Sequence, residues 1–250
     1  GAALQAQVSV IVLAVGDLVA VNPSVPCESC GWCRSGLRNQ CENMLFNGSA
    51  MRFPHVQGLF RECIDVAAAR AVKMPPGVPA AQAALCEPFA VCLHAVSRAG
   101  DISGRSVLVS GCGPIGILTI VAARLAGAAK IIATDLTPHS LEMAERFGAD
   151  VVLDVSKGPD VLAPYQAGRG TLDVAFECSG ASPAVAGAVS TLVPRGRMVL
   201  VGNGGDASIP TSMIVAREIS IAGTFRFDRE FDEAARLIGG GVVDLSAAVS

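Results

Sequence analysis

Apolar and polar positions along the chain fall into two regimes. Up to about residue 80 the apolar runs are short. Leu4 to Val10 alternates apolar and polar as a half-buried strand would, Gly16-Asp17 reads as a turn, and Leu18 to Val21 reads as a second strand. Asn47 to Val66 reads as loop and strand, and the Pro-rich Lys73 to Pro79 marks a boundary. Beyond it the runs lengthen and alternate in type. Gln82 to Ala99 predicts a helix interrupted at Glu87-Pro88, Val107 to Val109 a buried strand, and Ile115 to Leu125 a helix without a breaker. Strands follow at Ile131 to Asp135, Val151 to Leu153, Leu172 to Cys178, Gly196 to Gly202 and Glu218 to Thr224. The intervening helices are Pro138 to Phe147, Asp160 to Gln166 and Pro183 to Leu192, with a last one from Arg229 to Ile238. Such alternation predicts an α/β fold with a doubly wound parallel sheet.

Composition narrows the function classes. Hydrophobic residues make up 51% and charged residues 16%, so a large core needs no membrane to complete it. The longest apolar runs are broken by Arg124 or Asp17, too early for a spanning helix, and no Lys or Arg precedes Ser9 to Val15 as a signal peptide would require. Nine cysteines, four of them crowded between Cys27 and Cys41, favour a metal site in a reducing compartment over a disulfide framework, and a cytoplasmic protein is expected. Net charge is −3 without a basic stripe, which argues against nucleic acid as a partner.

The chemistry begins where the strand at Val107 ends. Gly111, Gly113 and Gly116 form G-x-G-x-x-G around Cys112, Pro114 and Ile115. The first glycine permits a tight turn, the second lets backbone approach a pyrophosphate, and the third lets the helix pack close to the strand. The helix N-terminus would face the phosphates. Asp135 ends the next strand, 19 residues after Gly116, where an acid accepts the ribose hydroxyls and disfavours a 2′-phosphate. NAD is therefore the expected cofactor; the competing reading is a turn that merely packs helix on strand.

A second signal lies at Cys27, Cys30, Cys33 and Cys41, spaced C-x2-C-x2-C-x7-C. Four thiolates of this spacing suit one structural zinc ion. An iron–sulfur cluster is the rival, but the ferredoxin run closes with C-x3-C-P; unmetallated thiols are the third reading. Glu87, read alone, is a charge at a helix entry, and His94 a satisfied core histidine.

Taken in order, Gly16-Asp17, the four-cysteine lobe, Gly58-Leu59-Phe60-Arg61-Glu62, Glu87-Pro88, the glycine fingerprint and Glu177-Cys178-Ser179-Gly180 resemble the zinc-dependent medium-chain dehydrogenases of the sorbitol (polyol) dehydrogenase branch. Ala20 to Ser24, Gly48 to His55 and Gly223 to Phe227 are most similar to the bacterial L-idonate 5-dehydrogenase group. The resemblance implies a β-rich GroES-like catalytic domain over residues 1–88, with its zinc lobe at 27–41. It implies a Rossmann domain over 89–226 and a return towards the first domain over 227–250. It implies NAD-dependent oxidation of a secondary alcohol, L-idonate to 5-ketogluconate first, with sorbitol- or xylitol-type polyols as alternatives. A non-catalytic nucleotide-binding homologue is the further alternative.

The resemblance also assigns residues. A catalytic zinc would stabilise the substrate alkoxide, with Glu87 as its ligand or bound through its water. Cys178, Val201 and Phe225 would lie along the cofactor. Ser49, Arg52, His55 and Glu87 would meet the substrate, and a substrate carboxylate would call for Arg52 or Arg226. Homodimers or homotetramers are implied. The chain departs from the family in one place: the catalytic Cys of Gly-Cys-Gly-Ser/Thr-Asp and the His of Gly-His-Glu do not occur, since no Cys precedes Cys27 and no His precedes His55. The resemblance places the missing block between about Val10 and Leu13. It implies a polypeptide roughly 90 to 100 residues longer, and no second zinc held by these residues.

Overall fold

The structure, a computed structural model, describes residues 13–249. The strand expected at Leu4 to Val10 lies outside the described residues. The chain divides into two compact units, 1–87 with 235–250, and 88–234.

In the first unit the strands are short and antiparallel. Strand β1 (Val19–Val21) pairs with β4 (Ala71–Lys73), and β2 (Ser24–Val25) pairs with β3 (Leu45–Phe46). Between the latter two, α1 (Gly31–Arg34) carries Cys33. The strand expected within Asn47 to Val66 is not there. That segment closes on itself instead: the Gly48 N–H donates to the carbonyls of Val56 and Gln57, and Asn47 Nδ2 donates to Gln57 O. A strand needs a neighbour for its N–H and C=O groups, and no described strand runs beside this stretch.

The expected break at Glu87-Pro88 falls earlier. A short α2 (Ala80–Ala83) ends, Ala84 and Leu85 turn, and α3 (Cys86–Ala99) then runs through Glu87 and Pro88. A proline in the first helical turn removes an N–H that has no intrahelical partner, so the helix continues. Taken together, Ala80–Ala99 is long and apolar enough to cross a membrane, which the expectation from Arg124 and Asp17 overlooked. Phe89, Ala90, Cys92 and Ala95 are all fully buried and the stretch also carries Glu87, His94 and Arg98, the marks of a core helix.

The second unit is built on a six-stranded sheet. Its strands are β5 (Ser106–Ser110), β6 (Lys130–Asp135), β7 (Val151–Asp154), β8 (Leu172–Glu177), β9 (Leu192–Leu200) and β10 (Ser220–Gly223). Their order is β10-β9-β8-β5-β6-β7 and every pairing is parallel. The strand order reverses at β5, which lies between β6 and β8. Ligands of doubly wound sheets bind at such a point, outside the carboxyl ends of the strands. Val107, Leu108, Val109, Ile131, Ile132 and Ala133 are at most 1% exposed, so these strands are covered on both faces as their unbroken apolar runs require.

The helices of this unit are α4 (Pro114–Leu125), α5 (Pro138–Arg146), α6 (Ala163–Gln166), α7 (Ser182–Thr191), α8 (Thr211–Arg217) and α9 (Glu230–Gly239), the last running on into the first unit's residues. One face of the core gathers Leu108, Ile132, Leu172, Val185, Val189, Leu192 and Met198. Each such side chain contributes about 1.5–3 kcal/mol through burial. Three elements differ from expectation. The helix at Asp160 to Gln166 is a 3-10 turn (Pro159–Leu162) followed by α6, because Pro164 cannot donate within a longer helix. Strand β9 starts at Leu192 rather than Gly196, its register against β8 shifting between Leu172 and Val174. Helix α8 had no counterpart in the pattern.

His94 and Glu230 tie α3 to the start of α9, with Nδ1 and Oε1 2.9 Å apart. Burial alone would raise the Glu230 carboxyl, but the bond with His94 and the N–H of Asp228 outweigh it and hold it below 4.5. A folded-state value below the unfolded one stabilises above the unfolded value and is lost as pH falls. Thermal melts from pH 7 down through the carboxylate range should therefore show a loss that Glu230→Gln no longer shows. Equal slopes for the two proteins would refute it.

Candidate cofactor and metal sites

The glycine loop has the geometry its spacing predicts. Gly111 sits at φ +90°, a conformation only glycine adopts readily, and a Cβ there would lie 2.8 Å from Ser179 N. A Cβ on Gly116 would lie 1.9 Å from Gly111 O, so only hydrogen fits between helix and loop. Gly113 is the opposite case: nothing stands within 4 Å of the place its Cβ would take. It is also the N-cap of α4, with no side chain bonded over the helix end and Pro114 first in the helix. The first-turn N–H groups of a helix have no intrahelical partner, so this open, uncapped end suits a pyrophosphate. Gly116→Ala should abolish NADH binding, a loss beyond about a hundredfold, because the loop must move away from the helix that receives the phosphates; titration calorimetry checks it, and wild-type affinity would contradict the packing.

A cavity of about 430 Å³ opens beside the loop, lined among others by Gly111, Asp135, Leu136, Leu162, Ser179 and Ala181. The Asp135 carboxylate is fixed in it. Oδ2 accepts from Cys112 N at 2.7 Å, and Oδ1 from Leu136 N at 2.8 Å and Thr137 N at 3.0 Å. The neighbours at 136 and 137 are Leu and Thr, so no adjacent cation is ready for a 2′-phosphate.

Cys178, Val201 and Phe225 follow β8, β9 and β10 at or within two residues of the strand end, so the all-parallel sheet brings them to the edge that carries the glycine loop. Cys178 is tied in by its N–H to Ser110 O, and its sulfur lies 3.8 Å from Thr119 Oγ1. Burial pushes the Cys178 thiol well above 9, and burial with the nearby Asp135 charge pushes Cys112 up to about 12. Both thiols are therefore neutral near pH 7. Phe225 is 37% exposed with the Arg226 guanidinium 4.9 Å from its ring centroid.

In the first unit the ligand sulfurs of Cys27, Cys30, Cys33 and Cys41 all lie within 4.8 Å of one another. Four sulfurs at about 2.3 Å from one ion would be roughly 3.8 Å apart, so the group needs little contraction to close on a single metal. In a [4Fe–4S] cluster each sulfur binds a different iron, which demands a wider cage. Backbone N–H groups point at the sulfurs: Cys27 N and Asn43 N at Cys41, Cys30 N at Cys27, Cys33 N at Cys30, between 3.2 and 3.5 Å. Donors of this kind orient and stabilise thiolate ligands. Hydrogen bonds from Ser29 and from backbone bring Cys27 down to about 5, the backbone N–H groups of Cys33 and Glu42 bring Cys30 below its ordinary value, and burial and the neighbouring thiols push Cys33 up to about 12. Four thiolates side by side need a cation to balance them, and a four-sulfur set fits zinc.

The other expected residues are less gathered. Ser49, Arg52 and His55 lie on the exposed loop of the first unit. Ser49 Oγ accepts from Met51 N, Arg52 Nη1 donates to Met44 O, and His55 stands edge-on to Phe53 at 6.2 Å. None of them lines the cavity. Glu87 is half-buried in the first turn of α3. Among the described residues the four cysteines are the one group of three or more metal-ligating side chains. Glu87 is not a member of that group. Glu177 was not singled out as a site residue, yet its carboxylate shapes the loop at the cavity; only its place before Cys178-Ser179-Gly180 pointed to it.

Comparison with known proteins bears on the same residues. Residues 114–239 match the model of the zinc-binding dehydrogenase family, and residues 2–76 that of the alcohol dehydrogenase GroES-like domain. The chain is 40% identical over 230 residues to L-idonate 5-dehydrogenase (NAD(P)(+)) of Escherichia coli, covering 92% of this chain and 66% of that protein. The crystal structure of L-idonate 5-dehydrogenase from that species superposes with a TM-score of 0.87 at 38% identity, over 92% of this chain and 66% of the other. A putative zinc-binding dehydrogenase from Sinorhizobium meliloti bound to NADP gives a TM-score of 0.86 at 30% identity, over 94% of this chain and 69% of the other. The chain thus spans just under two thirds of the length of the first curated relatives it matches.

Proposed function

The chain belongs to the zinc-binding alcohol dehydrogenase family, and from that premise we propose that the protein oxidises a secondary alcohol of a polyol or aldonate with NAD as acceptor. L-Idonate to 5-ketogluconate is the first reaction to test; sorbitol- and xylitol-type polyols come next. The observation that carries the reading is the glycine loop with the Asp135 carboxylate fixed at its cavity. The 40% identity to a protein named L-idonate 5-dehydrogenase supports the substrate.

Bound NAD supplies the hydride acceptor. The chain's own residues bind and orient it: the start of α4 holds the pyrophosphate, Asp135 accepts the ribose hydroxyls, and Cys178, Val201 and Phe225 flank the remainder. Ser49, His55 and Glu87 are the substrate-side residues in this reading, with Arg52 or Arg226 for a substrate carboxylate. Cys27, Cys30, Cys33 and Cys41 hold one structural zinc. The protein works in the cytoplasm as a homodimer or homotetramer.

The test is nicotinamide absorbance with L-idonate, sorbitol and xylitol in turn, each with NAD and with NADP. Turnover with L-idonate at the highest kcat/KM is the expected result. NADH binding without turnover of any of the three would overturn the dehydrogenase reading and leave a nucleotide-binding protein.

A further inference from the structure

Glu177 is the one charged side chain among the described residues that is buried, at 0% exposure, and it ends β8 beside the cavity. Its two oxygens take three donors. Oε1 accepts from Ser179 N at 2.9 Å and from the Ser179 hydroxyl, and Oε2 accepts from Gly180 N at 2.9 Å. Ser179 Oγ in turn accepts from Ala181 N at 3.1 Å. Three consecutive N–H groups ahead of α7 are thus bound inside the protein.

The turn so formed is packed from two sides. A Cβ on Gly111 would strike Ser179 N, Cβ and Cα at 2.8 to 3.0 Å, and a Cβ on Gly180 would come within 2.6 Å of Gly204 N. A Cβ on Gly202 would lie 2.3 Å from Gly180 N. Three loops therefore meet at Ser179-Gly180 with only hydrogen atoms to spare: the glycine loop, the turn itself and the segment after β9. Ser179 and Ala181 also line the cavity that holds Asp135.

We propose that Glu177 is a positioning residue for the adenosine half of the dinucleotide. By folding Ser179 to Ala181 around its carboxylate, it sets the wall of the cavity and its distance from Gly111 and Asp135. The proposal rests on the dinucleotide reading above. A carboxylate suits the task because it only accepts, and all the groups it gathers donate.

The experiment measures dissociation constants of AMP and NADH for the whole chain by calorimetry, with thermal melts alongside. If the wild type binds neither ligand, the dinucleotide reading fails and Glu177 loses the role with it. If the wild type binds both, the variants decide. E177Q presents an amide NH2 to backbone donors, so the turn opens; AMP and NADH affinity should both fall by the same factor, about tenfold or more. S179A keeps the two N–H bonds to Glu177 and removes only the hydroxyl between Glu177 and Ala181; a smaller equal loss of roughly two- to fivefold is expected. A folded E177Q that melts earlier but binds AMP as the wild type does would overturn the proposal, as would a loss seen for NADH and not for AMP. Should E177Q fail to fold, unchanged AMP affinity in S179A would overturn it.

Discussion

Cys33→Ser is expected to release the metal and unfold the lobe around residues 27–41 while changing NADH affinity by less than about twofold. Structural zinc is bound by about 10–16 kcal/mol in small zinc-binding peptides, more than the few kcal/mol that a lobe of this size draws from its own packing. Its core is Cys33, Cys41 and Met44, with Cys27, Cys30 and Phe46 against them, so the ligands are themselves most of what the lobe buries. Losing one thiolate leaves three charged sulfurs without their cation, and the N–H groups aimed at them then hold too little. NADH affinity is spared because the glycine loop, Asp135 and the cavity all belong to residues 88–234. Zinc must displace protons from its thiols. Occupancy should therefore fall as the solution is acidified, since Cys33, raised to about 12 without metal, must give up its proton to the ion. Metal analysis should return one zinc per chain. Iron in its place, or an NADH affinity that falls together with the metal, would contradict the assignment.

The metal and cofactor signals were legible because their chemistry is set by local spacing. Cys27 to Cys41 lies within one excursion of the chain, and a four-sulfur knuckle is closed by its own backbone N–H groups. The glycine loop is a strand, a turn and a helix in succession, and Asp135 ends the neighbouring strand. The parallel sheet was equally legible, since strands buried on both faces leave unbroken apolar runs such as Val107–Val109 and Ile131–Ala133.

What escaped depends on partners distant in sequence. Asn47 to Val66 carries strand-forming residues, but whether they pair is decided by what lies beside them, and the loop instead bonds to itself. Helix α8 is short and exposes Val215, so no apolar stripe announces it. Pro88 looked like an interruption because a proline in a sequence carries no sign of whether it stands first in a helix or inside one. Glu177 escaped for a related reason. Its significance lies in three donors that follow it within four residues, and in the glycines at 111, 202 and 204 that let other loops reach the same turn. Ser49, Arg52 and His55 rest on the family resemblance, since an exposed loop offers no burial or bonding pattern that separates a substrate contact from an ordinary polar surface.

Asp135 should give NAD a preference over NADP of about two orders of magnitude or more in kcat/KM. A 2′-phosphate would stand beside a carboxylate already held in place by Cys112 N, Leu136 N and Thr137 N, which leaves it little room to swing away. Two unit charges about 4 Å apart in an effective dielectric of about 20 repel by roughly 4 kcal/mol, and Leu136 and Thr137 bring no compensating cation. The relative from E. coli is named for both nicotinamides and the one from S. meliloti was crystallised with NADP, so family membership alone does not fix the choice. The decisive variant is Asp135→Asn. Its amide keeps the size and one accepting oxygen for Leu136 N and Thr137 N, removes the charge, and gives up only the bond from Cys112 N. NADP efficiency should rise about tenfold or more as the repulsion goes, while NAD efficiency falls because a ribose hydroxyl loses its charged acceptor. Asp135→Ala removes the scaffold as well and should lower both. Equal efficiency of the two cofactors in the wild type, or an Asp135→Asn variant whose preference is unchanged, would show that selection lies elsewhere in the cavity.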